Sequence, residues 1–181
     1  MQSTDLIEHV RLLSEVASAL TALRADVDRI RRGEIAKPVR EIVPVSLHVQ
    51  ELALRCTRQL HDLSISQYAT MKRGEQNLAH LVGACSQISL AATLCNLAIY
   101  HRTEVLLYDD ADPTPAASRD QLRRASDEMQ RAAVTYRALA FRLSRRLASS
   151  AAPRQGPRTM PDDSTVTLPE PASTAVAHAR R

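Results

Sequence analysis

The chain has 181 residues, 44% of them hydrophobic but only 3% aromatic, with nine prolines, four glycines and a formal charge of +4. That length sustains one sizeable core without help from disulfides or metal, and the shortage of glycine and of β-branched runs excludes an all-β barrel or sandwich. With no Trp and one Phe, there is no aromatic platform of the kind that stacks single-stranded nucleic acid.

Only Lys37 and Lys72 of the 24 basic residues are lysine, so the wealth of arginine reads as coding bias before it reads as a nucleic-acid footprint. The three cysteines, Cys56, Cys85 and Cys95, lie on apolar rows with no CxxC spacing. An odd count of this kind fits core packing in a reducing compartment. The first ten residues carry acids where a secretory leader would carry Lys or Arg. The expectation is therefore a cytoplasmic protein.

The first helix is expected over residues 4–32, with Ser3 or Asp5 as cap and Asp5 with Glu8 as a capping box. Leu6, Val10, Leu13, Ala17, Leu20, Leu23, Val27 and Ile30 recur at steps of four and three, a supercoiling repeat. Arg29, Arg31 and Arg32 suit the negative end of the helix dipole, and Gly33 is expected to close the helix in a left-handed conformation. Residues 34–44 connect it to a second helix that begins at Pro38 or Pro44. A start at Pro38 implies a kink at Pro44. Val45, Val49, Leu52, Cys56, Leu60 and Leu63 form its apolar row, and Lys72-Arg73-Gly74 is expected to end it.

The third helix is expected over residues 75–108, stopped by Asp109, Asp110 and Asp112, which are unfavourable at a helix C-terminus. Residues 76–101 contain no Asp, Glu, Lys or Arg. Leu78, Leu81, Cys85, Ile88, Ala92, Cys95 and Ile99 mark one apolar face, and Leu90, Leu94 and Leu97 mark a second. A helix apolar on two sides is expected to be covered on two sides, so this one is read as the centre of the fold. A membrane span is the competing reading by length. His80, Ser86, Gln87, Ser89, Thr93 and Asn96 argue against it, because polar groups are costly in a bilayer. The turn Asp112-Pro113-Thr114-Pro115 leads into a fourth helix over residues 116–148, with Leu122, Ala125, Met129, Tyr136, Ala140, Leu143 and Leu147 as its core row.

Four helices near 30 residues are each about 45 Å long at 1.5 Å per residue. Matched lengths and short connections predict an all-α, antiparallel up-down-up-down four-helix bundle over residues 1–148. Residues 149–181 hold five of the nine prolines among Ser, Thr and Ala. They form an expected disordered tail, with Thr165-Val166-Thr167-Leu168 as a candidate docking segment.

Sites are sparse. Val134, Ala138 and Phe141 put an apolar row on the polar side of the fourth helix, rimmed by Arg137 and Arg145, a pattern suited to a partner helix or a second copy of the chain. His80, Gln87, Asn96 and His101 on the third helix are a candidate buried polar site, for a small ligand or proton handling. His101 and Glu104 share a face, but the order is reversed from the Glu-x-x-His of di-metal bundles and no second copy exists, so no metal or other cofactor is expected. Arg55 with His61 and Arg73 with His80 have a spacing similar to the Arg/His pair of the all-α HEPN ribonucleases, a pattern loose enough that chance supplies about two matches here. Residues 113–149 hold eight Arg against three acids. That makes a nucleic-acid accessory role the alternative to the leading expectation, a non-enzymatic helical interaction protein that binds another protein or itself.

Overall fold

The computed structural model describes residues 2–111 and 113–151. Among them all regular structure is helical: α1 (Gln2–Arg32), α2 (Pro38–Ile65), the single turn α3 (Gln67–Thr70), α4 (Gly74–Thr103) with a 3-10 turn at Glu104–Leu106, and α5 (Ala116–Ala151). The docking segment at residues 165–168 and nearly all of the expected tail lie outside the described residues, although α5 continues three residues past its expected end.

The heptad row of α1 faces the core as expected. Leu13, Val16, Ala17, Leu20, Leu23 and Val27 are buried, and Leu6, Val10 and Ile30 are half-buried at the ends. Gly33 does not close the helix in a left-handed conformation; no glycine among the described residues has positive φ, and Ile35 takes that role at φ 53°. A β-branched residue there is strained. It is held because its side chain is 1% exposed and its carbonyl accepts from Arg102 Nε at 3.0 Å. The neighbouring Gly33 carbonyl accepts from Arg119 at 2.8 Å, so arginines from α4 and α5 fasten the same connection.

α2 begins at Pro38, where a missing N–H is harmless, and the Glu41 carboxylate accepts from the Lys37 backbone N–H at 3.0 Å. Pro44 falls inside the helix on its exposed side. The helix does not reach Lys72-Arg73-Gly74. It stops at Ile65 because the Ser66 hydroxyl donates to the Leu63 carbonyl at 2.9 Å and accepts from Tyr68 N at 3.1 Å, diverting the backbone from the helical ladder. The extra turn swings Tyr68 into the core at 1% exposure. Arg73, at φ 66°, supplies the left-handed residue before α4. Gly74 starts α4, and it is needed for space: a Cβ there would run into the Tyr68 carbonyl and lie 2.5 Å from the Ala69 carbonyl.

α4 ends at Thr103, five residues before the expected stop. The Thr103 hydroxyl bonds the carbonyls of Ile99 and Tyr100, each at 3.0 Å, and the chain tightens into 3-10 geometry. Arg102 reaches across to the Pro113 carbonyl at 2.6 Å, anchoring the entry to α5.

α5 packs along both α1 and α4, α2 packs on α4, and α1 meets α2 only sparingly. Arg137 bonds Thr21 at 2.6 Å, Arg24 bonds Gln130 at 2.7 Å, and Arg119 bonds Gly33, so residue numbers rise along α1 as they fall along α5. α4, uncharged over residues 76–101, is therefore not the sheathed centre that its composition predicts. It has two long neighbours, α5 and α2, and its remaining side is open.

Two glycines of α4 should respond oppositely to alanine. Gly74→Ala is expected to destabilise the fold by about 2 kcal/mol, the scale of forced overpacking against backbone. Gly83→Ala, with nothing within 4 Å of the added methyl, should stabilise it by up to about 1 kcal/mol through helix propensity. Urea unfolding midpoints of the two variants and the wild type check both.

Candidate functional site

The apolar row expected on the outside of the last helix is there. Val134 is 52% and Phe141 64% exposed on α5, with Ala138 half-buried between them. Arg145 lies over the Phe141 ring, 5.9 Å from its centroid. Arg137 is less free than its place on the rim implies, since its guanidinium is engaged by the Thr21 hydroxyl of α1. The row is narrow, with Arg131 and the other charged residues of α5 around it.

The expected buried polar site on α4 does not form. His80 and Asn96 are exposed, and Gln87 and His101 are half-buried. Asn96 Oδ1 accepts from the Ser46 hydroxyl at 2.7 Å, and His101 Nδ1 sits 3.1 Å from Glu104 Oε2. Gln87 Oε1 is buried without a partner among the described residues. At 100° per residue, positions 87 and 96 fall on opposite flanks of the helix, so these groups cannot converge. Among the described residues, no group of three His, Cys, Asp or Glu side chains is arranged to hold a metal ion. Arg55 and His61 are both exposed.

The three thiols are structural. All are buried and unpaired by disulfide, and Cys85 Sγ lies 3.5 Å from the Tyr136 hydroxyl. Burial pushes the Cys56 thiol up to about 11 and Cys95 to about 12, and raises Cys85 as well. A reactive cysteine needs the opposite shift.

The feature that the sequence concealed is the outer side of α4. Ala79, Gly83, Ser86, Leu90, Thr93, Leu97 and Tyr100 are all exposed and recur at steps of four and three. Leu90 is 44%, Leu97 39%, Tyr100 46% and the flanking Val82 50% exposed. Of the second apolar row, Leu90, Leu94 and Leu97, only Leu94 is buried. α2 widens this face: Leu47 and Leu54 are half-exposed, and the adjacent Ser46–Asn96 bond sets Leu47 alongside α4. The row spans about 32 Å at 1.5 Å per residue and contains no charged side chain. By length and composition, Gly74–Leu106 would also suffice to cross a membrane, with 44% of its most apolar window buried.

In comparisons with known proteins, no family model, no curated protein and no solved structure matches the chain.

The buried thiols fix a pH response. The ordinary thiol value is 9.0, and in the fold it is raised, so above pH 9 the unfolded chain loses protons that the folded chain keeps. Stability then falls with rising pH, by about 1.4 kcal/mol per thiol for each unit above 9 until the folded value is reached. Urea midpoints taken from pH 7 to 10.5 should be flat to about pH 8.5 and then decline, and a thiol-specific reagent at pH 8 should label the cysteines only after unfolding.

Proposed function

We propose that the protein is a non-enzymatic helical interaction protein that associates with a second copy of itself through the uncharged outer face of α4. Its four long helices are read as an up-down-up-down bundle, in which α2 and α4 present this face together. The observation that carries the reading is the exposed four-three row from Ala79 to Tyr100. Such a row is the seam of a helix pair with one helix missing, and monomers rarely expose a contiguous apolar patch of this kind.

Three features favour a second copy as the occupant. The row is tapered: small residues, Ala79, Gly83 and Ser86, fill its first half, and large ones, Leu90, Leu97 and Tyr100, fill its second. Two such rows laid antiparallel across a two-fold axis set large against small on both sides, the self-complementarity an isologous contact requires. The ends also match. Lys72, Arg73 and Glu75 at the start of α4 carry a net +1, and Arg102, Glu104, Asp109 and Asp110 at its end carry a net −2, so antiparallel pairing brings opposite net charges together. Finally, a stable interface needs about 800 Å² per partner. Leu47 and Leu54 of α2 add to the area of the α4 row, which suits a concentration-dependent dimer.

The Val134/Ala138/Phe141 row of α5 is a weaker candidate, because it is short and crowded by charge. Nucleic-acid binding is not favoured by the first half of α5. Arg123 pairs with Asp120 and Asp127, and Arg131 pairs with Glu128, which neutralises the helix surface a phosphate backbone would meet.

Size-exclusion chromatography with light scattering tests the reading. Wild-type protein should show a dimer that dissociates on dilution. Leu90→Glu and Leu97→Glu should each give a folded monomer by circular dichroism, and Phe141→Glu should leave the dimer intact. A wild-type monomer at high concentration, or a dimer that survives both leucine substitutions, overturns the proposal. So does protein that stays monomeric in buffer yet floats with lipid vesicles.

A further inference from the structure

The second half of α5 differs from the first in the fate of its arginines. In the first half Arg123 and Arg131 are ion-paired, and Arg124 bonds Gln121. Arg142, Arg145 and Arg146 have no carboxylate within ion-pair distance among the described residues. Their spacing is i, i+3 and i, i+4, at which like charges repel on a helix. With Arg73 they line one cleft of about 540 Å³, completed by Asn77, Phe141 and Ser149, and among the described residues no acidic side chain lines it. Arg73 comes from a different element, and its left-handed backbone turns it into position ahead of α4. The first turn of α4 brings the positive end of a 30-residue helix to the same place, offset in part by the exposed Glu75.

A second observation lies beneath the arginines. Asn77, which lines the cleft, is only 6% exposed. Tyr68, 1% exposed, lies beside it, with its hydroxyl toward the Asn77 side chain and within the fields of Arg142 and Arg146. Burial raises the Tyr68 pKa, so the hydroxyl keeps its proton and remains a donor. The buried polar pair of Asn77 and Tyr68 thus forms the floor beneath the guanidinium groups.

We propose that this cleft binds a nucleoside polyphosphate. Four guanidinium groups match the charge of a triphosphate, and each offers a planar fork suited to two phosphate oxygens. A cleft of this volume is the size of a small-molecule site. Phe141, 64% exposed and already carrying the Arg145 guanidinium at its ring, gives a base a face to stack on. The Ser149 hydroxyl, bonded to the Arg145 carbonyl at 2.9 Å, ties down the backbone that holds Arg145. This site lies on the side of α4 that meets α5, away from the exposed row, and shares only Arg73 with the self-association surface.

Isothermal titration calorimetry of the full chain, with adenosine triphosphate and inorganic tripolyphosphate as probes, tests the proposal. Both should bind at one per chain, with the nucleotide tighter. The double substitution Arg142→Gln/Arg145→Gln changes exposed side chains, and it should weaken both probes by about tenfold or more, the loss expected from two charge-assisted contacts. Phe141→Ala should bring the nucleotide down to the affinity of tripolyphosphate and leave tripolyphosphate unchanged. Absence of binding by both probes, or binding that the double arginine substitution does not alter, overturns the site. Equal affinity of wild-type protein for the two probes overturns the nucleoside part. Binding of duplex DNA alone, steeply lost with salt, assigns the arginines to nucleic acid instead and also overturns the proposal.

Discussion

The burial of one face of α5 between α1 and α4 holds the molecule together. Leu122, Ala125, Met129, Ala132, Tyr136, Leu139 and Leu143 are each at most 3% exposed, and this helix alone packs extensively on both neighbours. The alanines let the backbones approach. Tyr136 reaches Cys85 on α4 with its hydroxyl, so a polar group at the centre is satisfied within the core. α2 joins through α4 and touches α1 only lightly. The core therefore has a strong side along α5 and a weaker seam between α1 and α2. Clefts open at that seam, near Arg55 and Glu51.

The connections are held by backbone capture more than by turn residues. Ile35 sits in a left-handed conformation that glycine would adopt more cheaply, yet its side chain is core and its carbonyl is taken by Arg102. Gly74 has an ordinary φ, and its small size lets the end of α3 pass close to the start of α4. In both turns the residue that looks like punctuation is not the residue that bends. Packing chose which backbone took the strain.

The rows of the fold were legible because helical period and burial coincide. Every member of the core row of α5 except the half-buried Leu147 is covered, and in α1 the row is buried over its middle. What was not legible has a common cause: composition says what a surface tolerates, not what it touches. The lack of charge over residues 76–101 was read as burial, but Leu90, Leu97 and Tyr100 stand in solvent. The break at Ser66 depends on one hydroxyl choosing two backbone partners, a local competition with no apolar signature. Arg73, at the expected end of the second helix, and Arg142 and Arg146, among the eight arginines of residues 113–149, come together only in three dimensions.

Both proposed surfaces follow from one constraint. A helix that packs on two neighbours buries a sector of its circumference, and the remainder must be made acceptable to water or to a partner. α5 meets that requirement with charge. Over its first half the charges pair along the helix, and over its second half, among the described residues, Arg142, Arg145 and Arg146 pair with no carboxylate and repel one another. α4 cannot pair charges, having none between residues 76 and 101. Its outer sector mixes small polar residues with leucines that a solvent-facing helix has no use for. Where charge is absent, a second apolar surface is the cheapest cover. Where charge is present and unpaired, an opposite charge is. The same sorting rule underlies both proposals, protein on one face of the molecule and phosphate on the other.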